Sequence, residues 1–195
     1  MSAAILLIIT SIIVILILFA GKKLCDMAIK TEITEKYSTL IFTPEQKVIN
    51  NKANEENLKW LEENSCEIEI ISHDGLRLKG YEIKADKPTN NWVIAVHGYL
   101  SRGSDMVDYA KHFIKNGYNI LIIDLRTHGK SEGKYIGMGW LDKSDLELWI
   151  ERVIDENRNA KIILYGISMG AATVTMATGD ELPENVKLCI ADCRI

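Results

Sequence analysis

The chain has 195 residues, a net charge of −4 and a hydrophobic fraction of 47%, which fits one globular domain plus an unusually apolar segment. An acidic balance, with no basic stripe interleaved with aromatics, argues against a nucleic-acid partner. The four cysteines include no C-x-x-C pair and no histidine stands at ligand spacing from them, which argues against a disulfide framework and a metal site; no cofactor is expected.

The apolar excess comes first. Ser2 to Gly21 carries no charge, and Ile5 to Phe19 is almost wholly Ile, Leu and Val, enough helix to cross a hydrocarbon core of about 30 Å. Residues 1–21 therefore read as a transmembrane helix. A cleavable signal peptide is the rival, but no Lys or Arg precedes the apolar run and Phe19-Ala20-Gly21-Lys22-Lys23 is a poor cleavage site. Lys22, Lys23 and Lys30 all follow the span, so the positive-inside rule puts the globular part on the cytoplasmic side. There Cys25, Cys66, Cys189 and Cys193 would be free thiols.

Residues 22–65 read as a connector and an amphipathic helix. Lys22 to Leu40 is polar and mixed in charge. Thr43-Pro44-Glu45-Gln46 then offers a threonine cap, a proline at the first helical position and a glutamine closing a capping box. The helix it predicts runs to about Glu63, with Val48, Leu58, Trp60 and Leu61 as its large apolar groups.

From Cys66 to Ile70 the pattern alternates with period two, and after the turn His73-Asp74-Gly75 it resumes at Leu76, an antiparallel hairpin ending near Ile83. Trp92–Val96 and Tyr118–Asp124 are continuous apolar runs, as strands covered on both faces require. Between them Ser104 can cap a helix carrying Met106, Tyr109, Ala110, Phe113 and Ile114 and stopping at Gly117. Leu146, Trp149, Ile150, Val153 and Ile154 repeat the helical spacing between Asp142 and Asn157.

Lys161–Tyr165 is a further apolar strand that breaks off at Gly166-Ile167-Ser168-Met169-Gly170, after which Ala171, Ala172, Val174, Met176 and Ala177 read as a buried helix. A serine at the tip of such a turn is forced into a strained backbone, its hydroxyl projecting above the strand ends. Its neighbours two places either way must be small because strand and helix nearly collide; Gly166 and Gly170 meet that demand. A loop around Pro183 and a strand over Val186–Ala191 follow. A hairpin and then alternating strands and helices predict an α/β fold, a mostly parallel sheet with helices on both faces, over residues 66–195. Ligands bind such sheets at the carboxyl ends of the strands, and His97-Gly98-Tyr99, Asp124 to Ser131, Ser168 and Asp192 all fall at that edge. Gly129-Lys130-Ser131 is not a phosphate-binding loop, which would need glycine at Asp124, and Gly166 and Gly170 do not fit a dinucleotide fingerprint.

Together, Val93-Ile-Ala-Val-His97-Gly98-Tyr99, Asp124-Leu-Arg126-Thr-His128-Gly129-Lys-Ser-Glu-Gly133, Gly166-Ile-Ser168-Met-Gly170 and Ile190-Ala-Asp192-Cys193 resemble the α/β-hydrolase superfamily, and within it bacterial esterase and peptidase-like members with an N-terminal membrane segment. The resemblance implies Ser168 as the catalytic nucleophile of an acyl-transfer site, and the backbone N–H groups of Tyr99 and Met169 as the oxyanion hole. It gives His97 and Gly98 a loop-shaping role and makes His97 no general base. It leaves His128 as a loop residue where a glycine is common, Asp124 and Arg126 as a local ion pair, and Asp192 as a structural carboxylate.

In this superfamily the order is serine, then acid, then histidine. No histidine follows His128, so the expectation is an N-terminal fragment whose acid and base lie outside residues 1–195, inactive by itself. The whole protein would be a membrane-anchored serine hydrolase taking a small-molecule or peptide acyl substrate, cleaving an ester, thioester or peptide bond. The alternative is a non-catalytic, membrane-tethered interaction module on the same fold.

Overall fold

The computed structural model describes residues 3–31 and 44–193. Helix α1, Ala3–Ile29, carries the apolar run. Ile5–Ile29 is long and apolar enough to cross a membrane by length and composition, and none of its most apolar 18-residue stretch is buried among the described residues. The helix does not stop at Gly21: Lys22–Ile29, expected as connector, continues it, because no glycine, proline or cap interrupts the backbone hydrogen bonds there. The Thr43 cap lies outside the described residues, while the helix it was to start, α2, spans Pro44–Asn64.

The hairpin strands are β1, Cys66–Ile71, and β2, Arg77–Ile83, paired antiparallel with Ile68 opposite Gly80. Then come β3, Asn91–Val96; a 3₁₀ turn, Gly103–Met106; α3, Val107–Lys115; β4, Asn119–Ile123; and α4, Trp140–Glu156. The described chain ends with β5, Lys161–Ile167; α5, Met169–Ala177; and β6, Val186–Asp192. The strands form one sheet in the order β1-β2-β4-β3-β5-β6; β4, β3, β5 and β6 run parallel, and β2 alone runs against them, paired antiparallel to β4 on one side and to β1 on the other.

The continuous apolar strands are continuous because both faces are covered. Trp92, Ile94 and Val96 of β3 point to one side, where Leu146, Trp149, Ile150 and Val153 of α4 and Val174 and Ala177 of α5 close over them. Val93 and Ala95 point to the other, against Val107 and Ala110 of α3 and Leu61 of α2. Each fully buried aliphatic side chain of this kind contributes about 1.5–3 kcal/mol, so the sheet is the rigid base on which the loops at its carboxyl edge are set. Ser104 does not cap α3. It is buried in the 3₁₀ turn, its hydroxyl donates to Asn54 Oδ1 of α2, and the helix proper starts at Val107.

One connection is invisible in local patterning. The end of α1 is strand-paired to the loop before α4: Lys30 bridges Tyr135 antiparallel, Ile136 N–H donates to Ile29 O at 2.7 Å, and Thr31 N–H to Lys134 O at 3.3 Å.

Candidate active site

Ser168 stands between β5 and α5 with φ 53° and ψ −114°, a conformation that costs a non-glycine residue on the order of 1–3 kcal/mol. The packing below it leaves no alternative. A Cβ on Gly166 would lie 2.2 Å from Gly170 O, and one on Gly170 would lie 2.2 Å from Val96 O and 2.6 Å from His97 O. The helix can therefore return beneath the strand ends only over two bare backbones, and Ser168 is left exposed at the crest. Its N–H donates to Asp192 O at 2.9 Å and its carbonyl accepts from Ala172 N–H at 3.1 Å, which fixes the bend from both sides. Among the described residues its hydroxyl has no protein hydrogen-bond partner.

The loop leaving β3 runs against this crest. A Cβ on Gly98 would come within 3.3 Å of Ser168 Cβ and 3.8 Å of its Oγ, so Gly98 is backed against the serine and Tyr99 follows directly. The other side of the crest is Met169, the first residue of α5. Its N–H belongs to the first turn, which has no intrahelical acceptor and sits at the positive end of the helix dipole. Ser168, Gly98-Tyr99 and Met169 are thus brought together, with Gly166 and Gly170 beneath them.

His97 is fully buried. Its Nε2 accepts from Leu125 N–H at 3.0 Å, which leaves the proton on Nδ1, 2.8 Å from Gly98 O. Burial, reinforced by neighbouring His128, pushes its pKa down to about 3, so it is a neutral splint. His128 lies in a loop, as expected, and is buried there, 7% exposed. Its ring packs edge-on to His97 at 5.0 Å between centroids. Its Nε2 accepts from Leu100 N–H at 3.3 Å and its Nδ1 lies 2.9 Å from Arg126 O. The two imidazoles bind the 97–100 loop to the 125–128 loop, and both turn their nitrogens to backbone.

The expected pairing of Asp124 with Arg126 is not formed. Asp124 is buried and accepts from Gly103 N–H at 2.7 Å, Lys130 N–H at 2.9 Å and Tyr81 Oη–H at 3.2 Å. One donor from its own turn, one from the 3₁₀ turn and one from β2 satisfy that carboxylate without a cation; burial, its largest influence, still raises its pKa. Arg126 instead aims its planar fork at Asp145 of α4, Nε to Oδ2 at 2.7 Å and Nη2 to Oδ1 at 2.8 Å, with Asp74 of the hairpin turn at 3.2 Å. A bidentate carboxylate matches the guanidinium better than a neighbour two residues away can. Asp192 Oδ2 accepts from Tyr165 Oη–H at 3.3 Å.

Sequence reading missed one contact at the site. Tyr99 Oη–H donates to Ala28 O of α1 at 2.7 Å, tying the end of the apolar helix to the loop beside Ser168. A side chain reaching a backbone carbonyl 71 residues away leaves no signal in periodicity or motif.

A family model described as serine aminopeptidase, S33, matches residues 87–191. An uncharacterized protein of Bacillus subtilis (strain 168), YqkD, is 33% identical over 125 residues, 64% of this chain and 41% of its own length. YfhR, an uncharacterized protein of Escherichia coli (strain K12), is 26% identical over 129 residues, 64% of this chain and 45% of its own. This chain thus spans less than half the length of those relatives. Among solved structures, the esterase Pf2001 of Pyrococcus furiosus superposes with a TM-score of 0.60 at 31% identity, over 69% of this chain and 52% of that one. XC6422 of Xanthomonas campestris, described as an α/β serine hydrolase without lid, superposes at 0.51 with 20% identity over 60% and 56%; that likeness carries the fold alone.

Proposed function

Because the chain belongs to the serine aminopeptidase S33 family of α/β hydrolases, we propose that it is the nucleophile-bearing part of a serine hydrolase that forms an acyl-enzyme at Ser168. One observation carries this reading: Ser168 is held exposed in a strained conformation, over two glycines that admit no Cβ, with Gly98 against its side chain. An unstrained serine would serve equally well as a turn residue. A strained one is kept where its hydroxyl must stand in one place. In this reading a substrate carbonyl sits over Ser168 Oγ. The oxygen that becomes negative on attack is received by the N–H groups of Met169 and Tyr99, and losing one such donor costs about 100- to 1000-fold in rate.

The reaction also needs a base to take the serine proton. Of the four histidines, His97 and His128 are engaged with backbone, while His73 belongs to the β1–β2 turn and His112 to α3, so the reading takes its base, and an acid to orient it, from outside the 195 residues. The same observation is what favours the rival, a tethered module without catalysis. The bond cleaved is an ester or thioester, as the name of the Pyrococcus esterase suggests, or a peptide bond, as the family description suggests.

We assign residues 66–195 to the hydrolase domain, 22–65 to a link and 1–21 to a single membrane span. Lys22, Lys23 and Lys30 after the span favour the cytoplasmic side for the globular part. The test is turnover of a para-nitrophenyl ester and of an aminoacyl para-nitroanilide by the full-length protein. Wild type hydrolyses one of them, and Ser168→Ala loses roughly 10⁴-fold or more of kcat. Equal turnover by wild type and variant would contradict the assignment of Ser168.

A further inference from the structure

The segment running from the α1 clip into the first turn of α4 has an unusual surface. Tyr135, Met138, Trp140 and Leu141 are all at least 44% exposed, Trp140 at 68%. The segment presenting them is firmly built. Ile136 is buried, Gly139 N–H donates to the buried carboxylate of Asp142 at 2.7 Å, and Met138 is held at φ 51°, a left-handed conformation that a long side chain adopts only at a cost. Strain and a buried carboxylate are thus spent on holding large apolar groups outward.

The position of this segment says what they face. It is strand-paired to the last turn of α1, Ile29–Thr31 against Lys134–Ile136. From Lys23, the basic residue closing the apolar run, to Ile29 is six residues of continuous helix, about 9 Å. With α1 across the bilayer, the clip therefore sits at headgroup depth. Leu141 is only five residues beyond Ile136, so the whole apolar set stays within reach of that plane. Tyrosine and tryptophan are the side chains that settle at such an interface.

We propose that the 135–141 segment is a second membrane contact, which beds Tyr135, Met138, Trp140 and Leu141 in the headgroup region beside α1. The partner is the lipid bilayer itself. The inference rests on the proposed span and adds to it: a bare tether would let the domain swing, whereas helix, clip and segment together fix its orientation. Through Tyr99, hydrogen-bonded to Ala28 O, the same contact holds the Ser168 edge close to the lipid surface.

The test uses the full-length protein with its native cysteines replaced by serine, reconstituted in vesicles of phosphatidylcholine and phosphatidylglycerol. Met138→Cys, Leu141→Cys and, on the exposed loop at the opposite sheet edge, Lys87→Cys each carry an environment-sensitive fluorophore. Lipids brominated near the headgroup should quench the labels at 138 and 141 several-fold more strongly than the label at 87. A label-free check uses wild type. Of the four tryptophans of these 195 residues, Trp92 and Trp149 are buried and Trp60 of α2 is packed partly buried against the core, so brominated lipids should quench a component of intrinsic fluorescence that disappears in Trp140→Phe. If alkaline extraction strips the protein from vesicles, the span is wrong and this inference falls with it. If the protein resists extraction but 138 and 141 are quenched no more than 87, the span stands and the second contact is overturned. Shielding of both labels from water without lipid quenching also overturns it, by giving the surface to another part of the protein or to a second copy.

Discussion

Buried charged and titratable side chains decide how the site responds to change. Arg126 is held by Asp145, and both side chains are nearly fully enclosed, 7% and 3% exposed. Arg126→Ala strands the Asp145 carboxylate and should cost about 3–5 kcal/mol. Arg126→Lys keeps the charge but loses the fork, a cost of about 1.5–3 kcal/mol. Urea midpoints of the two variants check the order, and equal midpoints would contradict it. Asp142 is fully buried, with Oδ1 unpartnered among the described residues, and burial raises its pKa from 3.8 to about 6. The folded protein holds this proton more tightly than the unfolded chain does. Its stabilisation is therefore full below about pH 3.8 and is lost as pH rises through about 6, a swing of about 3 kcal/mol. His97 runs the other way: with its pKa lowered to about 3, it stabilises fully above its unfolded value near 6.5 and loses that as pH falls toward 3. Asp142→Asn removes one of two opposing slopes, so its stability relative to wild type should rise by about 3 kcal/mol between pH 4 and pH 7. Parallel pH profiles of urea midpoints would contradict it.

Among the elements, the β5 turn and α5 form the unit most legible in sequence. The pattern gave the strand, the stop and the helix because each rests on local rules: an apolar run, two residues without side chains and small residues after them. The reason for the glycines is now a distance. Gly170→Ala drives a methyl group into Val96 O, 2.2 Å away, and should cost more than about 3 kcal/mol or leave no soluble protein. Gly21→Ala, with nothing within 4 Å, should leave the urea midpoint unchanged. A tolerated Gly170→Ala would mean that α5 does not return beneath β3 as described. Less legible were the contacts made at a distance. Asp124 and Arg126 looked like a pair because they are close in sequence, and the true partners, Gly103, Lys130 and Asp145, are assembled by the sheet. Ser104 fitted a cap by type and position, yet tertiary packing of α2 drew its hydroxyl to Asn54. His128 gave no sign of burial, because its environment is made by His97 and Leu100 from another loop.

Over the whole molecule, the apolar helix stood out by composition, the α/β sheet by its alternating strand and helix patterns, and the hydrolase likeness by its motifs. The junction of helix and sheet did not, since the Lys30–Tyr135 bridge and the Tyr99–Ala28 hydrogen bond join segments far apart in the chain. That junction makes a prediction for the complete protein. Tyr99→Phe removes the only donor that side chain offers to α1 while leaving the backbone N–H of residue 99 in place. In vesicles it should lower kcat several-fold with little change in KM, and an unchanged kcat would mean that α1 does not steady the loop beside Ser168. The account as a whole depends on the chemistry of a single hydroxyl, and covalent capture reads it most directly. After incubation of the full-length protein with a fluorophosphonate, intact mass should increase by one phosphonyl group, and peptide mapping should place the group on Ser168. Absence of the adduct, or an adduct that persists in Ser168→Ala, would contradict the account.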